Sequence, residues 1–400
     1  EDALSKVQKY LHRQGIDWLS PIARKVEREG TPNRRNVVLV FMESMSANLM
    51  GTFGSDKKLT PYLDSLYQQS LSFSHFYSSG IHTNHGIYST LYSFPAIMKR
   101  NAMKGSVIPV YSGLPTVLQE NGYCNLFFMT HESQYDNMNA FLRTNGFDEI
   151  YAQENYPSEK VVNSFGVQDD FMYQYALPIL NERAGTGNPF FSVLLSISNH
   201  PPYVIPPYFH PHSDVLEEQI VEYADWSIRQ FMQAAEKQPW FDNTIFVFLG
   251  DHGKMVGTPE CEMPQSYNHI PLMIYGKDIK PGVYDGFGGQ VDVSPTLLGL
   301  LNISYLQNNF GVNLLEEERP CMFFTADNLI GARDSVNMFI YSPDSQQEFK
   351  YKLEEGKLHA ATGTDEEAFR NLKDYCFSML QSTESLVKEH KTLDKVSVKK

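Results

Sequence analysis

The chain has 400 residues, 42% of them hydrophobic and 20% charged, which suits one large or two medium globular domains and excludes global disorder. Its formal net charge of −14 argues against nucleic acid as a partner, because phosphate backbones are held by basic surfaces. No apolar run reaches the roughly eighteen residues needed to span a bilayer. The sequence begins at Glu1 rather than at methionine, so it reads as a fragment or processed form whose upstream anchor is missing.

Residues 3–29 place Leu4, Val7, Tyr10 and Leu11, then Leu19, Ile22, Ala23 and Val26, at helical spacing, which predicts one or two amphipathic helices. Short apolar runs follow: "NVVLVFM", "CNLFFMT", "FFSVLLSIS", "TIFVFLG" and "PLMIYG". They barely alternate, as strands buried on both faces do. Helical patterns separate them ("LTPYLDSLYQQS", "GLPTVLQENG", "QIVEYADWSIRQFMQAAEKQ"), so the order predicts an α/β fold with a mainly parallel central sheet sandwiched by helices. After about Glu316, "NMFIYSP" and "EFKYKLEEGKLHAAT" lead into a polar helix, "DEEAFRNLKDYCFSMLQSTESLVKEH", which predicts a smaller α+β unit. The expected division is a helical lead-in over 1–35, a catalytic domain over 36–315 and the smaller unit over 316–400, with the tail "KTLDKVSVKK" frayed. The cysteines Cys124, Cys261, Cys321 and Cys376 form no C-x-x-C pair and indicate no disulfide, and Cys124 reads as a buried core thiol.

Ligands of open α/β sheets bind beyond the carboxyl ends of the strands. There the apolar runs deliver Glu43, His131, Asn199-His200 and Asp251-His252. Singly, each has an ordinary reading: a helix-start acid for Glu43, a turn residue for Asp251, a surface histidine for His252. Together at one edge, Glu43, Asp251 and His252 make an oxygen/nitrogen set for Mg²⁺, Mn²⁺ or Zn²⁺.

These stretches resemble the alkaline phosphatase and sulfatase superfamily, and more narrowly the lipoteichoic acid synthase-like phosphoglycerol transferases. The resemblance runs from about Asn36 to Asn302 on "NVVLVFMESMSA", "TPYLDSL", "GIHTNHGIYST", "SISNHPPY", "NTIFVFLGDHG", "NHIPLMIYG" and "QVDVSPTLLGLL". It implies one divalent ion, Mn²⁺ first with Mg²⁺ or Zn²⁺ as substitutes, held by Glu43, Thr83, Asp251 and His252. Thr83 would be the nucleophile, activated by the metal. His200 would stand near the leaving or incoming oxygen, with His131 and His269 in the substrate pocket. A helix starting near Gly86 would aim N–H groups at the substrate's oxygens, and Asn84 could donate a further bond. His82 and His85 read as ordinary loop polarity, and Asp292 as a helix cap.

No sulfatase C/S-x-P-x-R context surrounds "HTNHG" or any cysteine, which disfavours formylglycine chemistry. Family members carry Trp and Arg soon after the pocket histidine, where this chain has Tyr135 and Asn137. Asn lacks Arg's bidentate reach, so the head group need not be phosphoglycerol. The implied reaction moves a phospho-alcohol head group from a phospholipid to a glycan or polymer hydroxyl through phospho-Thr83, on the extracytoplasmic face of a bacterial membrane. A phosphodiesterase or sulfatase-type hydrolase is the alternative. The sequence leaves the oligomeric state open.

Overall fold

A computed structural model describes residues 1–361 and 366–395. Its centre is an eight-stranded sheet built from Asn36–Met42 (β1), Leu71–Tyr77 (β2), Cys124–Phe128 (β3), Glu149–Tyr151 (β4), Phe190–Leu195 (β5), Thr244–Gly250 (β6), Leu272–Tyr275 (β7) and Gly282–Gly289 (β8). The spatial order is β8-β2-β7-β6-β1-β5-β3-β4. Only β7 runs against the others, pairing antiparallel with β2 and β6. The mainly parallel sheet expected from the apolar runs is therefore present.

The period of two along β1 sorts its side chains between two cores. Val37, Leu39 and Phe41 face one layer, with the Thr83–Tyr92, Leu114–Glu120, Met138–Thr144 and Val293–Leu300 helices. Val38, Val40 and Met42 face the other, with the Pro61–Gln69, Asp169–Ala184 and Leu216–Ala235 helices. All seven residues of β1 are buried, which is why the run shows no polar alternation.

A separate five-stranded antiparallel sheet follows, formed by Met322–Thr325, Ile330–Arg333, Asn337–Ser342, Gln347–Glu354 and Lys357–Ala360, with the Glu366–Lys388 helix behind it. Met322, Phe324, Met338 and Ile340 pack with Tyr77 from β2, so this unit sits against the carboxyl end of the main sheet.

One expectation is narrowed and two are corrected. Of the one or two helices expected in the lead-in there is one, Ala3–Tyr10; Pro21 interrupts the second apolar stretch, and Arg24–Val26 pairs as a strand with Tyr305–Gln307. Cys124 is half-buried rather than a core thiol, and its S–H points at the Glu149 carboxylate, 3.2 Å away. The tail is pinned as far as it is described: Asn308 donates to the carbonyls of Lys391 and Leu393, and Ser112 exchanges bonds with Thr392 and Asp394. Its last residues, 396–400, lie outside the described residues. The four cysteines are free thiols.

Candidate active site

The register of β1 on β6 makes the site. Met42 lies opposite Gly250, so the next residues along each strand, Glu43 and Asp251, leave the sheet side by side. Both are buried, at 1% and 0% exposure. Ser44, with a left-handed φ of 51°, turns the chain back over them. Its N–H donates to Asp251 Oδ1 (2.9 Å) and its hydroxyl to Glu43 Oε1 (2.9 Å). Ser196, just past β5, donates its hydroxyl to the Phe41 carbonyl and accepts the Glu43 N–H.

Thr83 arrives from the connection that follows β2, as the first residue of the Thr83–Tyr92 helix. Its Oγ1 lies 2.7 Å from Asp251 Oδ2 and 3.0 Å from Glu43 Oε2, and the hydroxyl has one proton to share between them. His82, not Thr83, occupies the N-cap position. Gly86 lets the helix come this close: a Cβ there would stand 2.3 Å from the Asp251 carbonyl oxygen. Gln290, fully buried, holds the same wall by donating to the carbonyls of Gly250 and Asp251 while accepting the Ser79 N–H.

His252 completes the cluster. Its Nδ1 faces the Gly253 carbonyl at 2.6 Å, which makes that nitrogen the donor and turns Nε2 toward the acids, 3.5 Å from both Glu43 Oε1 and Asp251 Oδ2. A backbone carbonyl fixing the far nitrogen is the usual outer support of a metal-ligating histidine. Ligand atoms of Glu43, Asp251 and His252 lie within 4.8 Å of one another. Burial, and next the neighbouring Glu43 charge, push the Asp251 carboxyl well above its ordinary range. Burial opposes ionisation of Glu43 too, but the hydrogen bond and charge of His252 outweigh it and hold Glu43 down. Burial likewise works against charge on His252, yet Asp251 and Glu43 raise it to about 10. Two buried carboxylates, one imidazole nitrogen and a hydroxyl converge where a cation would relieve their repulsion, so the donor set fits a divalent metal.

The other predicted residues divide. His131 is buried beside Tyr135 (ring centroids 4.7 Å apart), with burial lowering its pKa. His200 is half-buried against Phe165, with Nδ1 on the Pro201 carbonyl at 2.6 Å. Asn84 keeps a buried Oδ1 with no hydrogen-bond partner beside Thr83. Asn137 is drawn off: it adopts a left-handed φ of 61° and gives its amide to the Met103 carbonyl at 2.7 Å. His269 is not brought into the cluster either. Its Nε2 meets the Ser74 carbonyl at 2.8 Å, its ring lies between Phe53 and Tyr77, and burial lowers it to about 4. His85 is not loop polarity but a buried helix residue, with Nε2 on the Arg100 carbonyl.

Sequence reasoning missed the supports Ser44, Ser196 and Gln290, and it missed Lys254, whose ammonium donates to Asn199 Oδ1 at 2.6 Å. Lys254 had one signal, its place two residues past His252. A cavity of about 420 Å³ lined by Tyr62, Phe209, His212, Asp225, Trp226 and Arg229 contains none of the cluster residues. Chemistry rather than volume locates the site.

The chain is similar to several known proteins. The family described as Sulfatase matches residues 35–303. A lipoteichoic acid synthase-like protein of Bacillus subtilis, YvgJ, is 25% identical over 353 residues, covering 80% of this chain and 55% of that protein. The lipoteichoic acid synthase of Staphylococcus aureus (strain USA300) is 23% identical over 390 residues, covering 86% of this chain and 56% of its own length. The chain thus spans little more than half the length of these relatives. Among solved structures, a Vibrio parahaemolyticus protein of the alkaline phosphatase superfamily superposes with a TM-score of 0.87 at 26% identity, over 98% of this chain and 96% of that one. The Listeria monocytogenes lipoteichoic acid synthase LtaP gives 0.76 at 22% identity, over 96% and 98%.

Proposed function

The chain belongs to the sulfatase family, and from that membership and the rim geometry we propose that it is a metal-dependent transferase of phospho-alcohol head groups, working through phospho-Thr83. The observation that carries this reading is the placement of Thr83 Oγ1 within 3.0 Å of both Glu43 and Asp251, at a helix start. Glu43, Asp251, His252 and Thr83 would hold a divalent ion, whose positive charge lowers the hydroxyl's pKa and offsets charge gathering on the phosphoryl oxygens. Manganese is the first choice, with magnesium or zinc as substitutes.

The residues then act in two displacements. Thr83 Oγ1 gives its proton toward Asp251 Oδ2 and bonds to the phosphorus of a phospholipid head group. The bond from phosphorus to the lipid alcohol breaks, and His200 protonates the departing oxygen from Nε2. First-turn N–H groups of the Thr83–Tyr92 helix, which have no intrahelical partners, face the phosphoryl oxygens with the Asn84 amide. His131 and Tyr135 line the head-group side. A glycan or polymer hydroxyl next bonds to phosphorus as His200 takes its proton, and the bond to Thr83 breaks with return of the threonine proton. The domain would act at the outer face of a bacterial membrane. Among the described residues no helix is long and apolar enough to cross a membrane.

Hydrolysis, with water in place of the acceptor, is the second reading. It is favoured by Asn137, whose amide is spent on Met103 rather than free to select a head group. The test incubates the Mn²⁺-loaded protein with phosphatidylglycerol vesicles. Mn²⁺-dependent diacylglycerol release, a head-group adduct on Thr83 by mass spectrometry, and loss of both in Thr83→Ala are expected. Release that persists in Thr83→Ala overturns the proposal. Release that ignores added glycan acceptor selects the hydrolase.

A further inference from the structure

We infer that Lys254 is the donor-phosphate receptor of this site, contacting the anionic oxygens of the substrate phosphodiester. The inference rests on the reading above that the substrate is a phosphodiester. It starts from charge. With a divalent ion held there, Glu43 and Asp251 would both be carboxylates, and their two negative charges would only balance it. A phosphodiester adds another negative charge, and Asn137, at the place where a cation would be expected, offers none and is turned to Met103.

Lys254 is placed to answer that charge. It follows β6 by way of Asp251, His252 and Gly253, and its backbone is clamped at both ends by one hydroxyl: its N–H donates to Ser46 Oγ at 2.8 Å, and Ser46 Oγ donates to its carbonyl at 3.0 Å. The stem is therefore fixed relative to the metal-ligand pair. Its half-buried ammonium donates to Asn199 Oδ1 at 2.6 Å, on the loop that carries His200, and stands 5.4 Å from the centre of the Tyr203 ring. Asn199 passes the link on by donating to the Ser44 carbonyl at 3.3 Å, one residue from Glu43.

What the ammonium lacks is a carboxylate: Lys254 takes part in no ion pair among the described residues, whereas Lys6, Arg24, Arg28, Arg35 and Arg183 all do. An ammonium has three donors, and here one is used. Leaving a cation partly desolvated beside a neutral amide costs free energy that an arriving anion recovers. Asn199 aims the group, and Tyr203 shields one side of it.

Inorganic phosphate is the probe, because its binding is read without turnover. Calorimetry on the Mn²⁺-loaded wild type, Lys254→Met and Lys254→Arg should show Kd for phosphate rising about tenfold or more in Lys254→Met, the size of one charge-assisted hydrogen bond, and mostly recovered in Lys254→Arg. The Kd for Mn²⁺ and the melting temperature should stay near wild type in both. Turnover of bis(p-nitrophenyl) phosphate should lose in KM more than in kcat for Lys254→Met. Unchanged phosphate affinity in Lys254→Met overturns the inference, and so does a loss confined to kcat that Lys254→Arg fails to rescue, which would make Lys254 a strap for the His200 loop. The two readings fail separately. Phosphate binding that depends on Lys254 in a protein that forms no Thr83 adduct sinks the transferase and spares the receptor. Adduct formation with Lys254-independent phosphate binding does the reverse.

Discussion

Two buried acidic clusters in this molecule are built on opposite principles. Asp292, fully buried, receives both arms of Arg319 at 2.6 and 3.0 Å, the Gly289 N–H at 3.0 Å and the Val312 N–H at 2.9 Å. Each lone pair is met and the charge is matched, as an acid kept for structure requires. Glu43 and Asp251 are as deeply buried, but they face each other, with His252 at 3.5 Å and the Thr83 hydroxyl between them. The fold offsets that repulsion only through His252 and by pushing the Asp251 carboxyl well above its ordinary range. The contrast teaches where to look for function: not at buried charge, but at buried charge whose compensation is left to something that binds.

The comparison is broken most severely if the rim proves inert. Thr83→Ala should lower head-group release by a factor of about 10³ or more, roughly 4 kcal/mol in barrier, while the melting temperature moves little. Asp292→Asn should do the opposite. It strands Arg319 and should cost about 3–5 kcal/mol in urea unfolding, with the metal requirement of the surviving activity unchanged. Arg319→Met added to Asp292→Asn should recover part of that loss, and failure to do so would mean the two clusters are not different in kind.

A smaller effect sharpens the contrast. Mn²⁺ at a hundredfold excess over its Kd should stabilise the wild type by about 2.7 kcal/mol, read as a rise in melting temperature. Asp251→Asn should show little of that rise, and without metal it should be at least as stable as the wild type, because one of two repelling acids is gone. Equal metal stabilisation of wild type and Asp251→Asn would place the ion elsewhere.

The smallest effect comes from a partner pair nearer the surface. Glu149 is held at about 2, chiefly by its hydrogen bonds from Arg183. A carboxylate depressed on folding adds stability above its unfolded range near 4.5, and that stability fades as pH falls toward 2. Arg183→Met should therefore cost less than about 1 kcal/mol at pH 7 and nothing measurable near pH 2. A larger loss would show that ordinary surface pairs rival the buried clusters here.

Much of the site was legible because each side chain directly follows an apolar run. "NVVLVFM" announces a buried strand and hands over Glu43, and "TIFVFLG" does the same for Asp251 and His252. The strand Leu71–Tyr77 was not read as one, since its exposed His75 and half-buried Ser74 interrupt the apolar pattern. His269 and Asn137 lie at legible positions yet spend their polar atoms on the carbonyls of Ser74 and Met103, distant in sequence. Arg24–Val26 reads as helix by spacing and becomes strand because residues 305–307 offer it a backbone partner.

Local sequence thus determined the identity of the strands and the chemistry waiting at their ends, because burial of a strand and the residue that leaves it are set by neighbours along the chain. Only the tertiary structure decided that Met42 pairs with Gly250, and so that the acids one step further on meet. It also decided that Gly86 lets a helix press Thr83 between them and that Lys254 reaches Asn199. Those decisions depend on strand order, register and close approach, which are properties of segments far apart in sequence packing together.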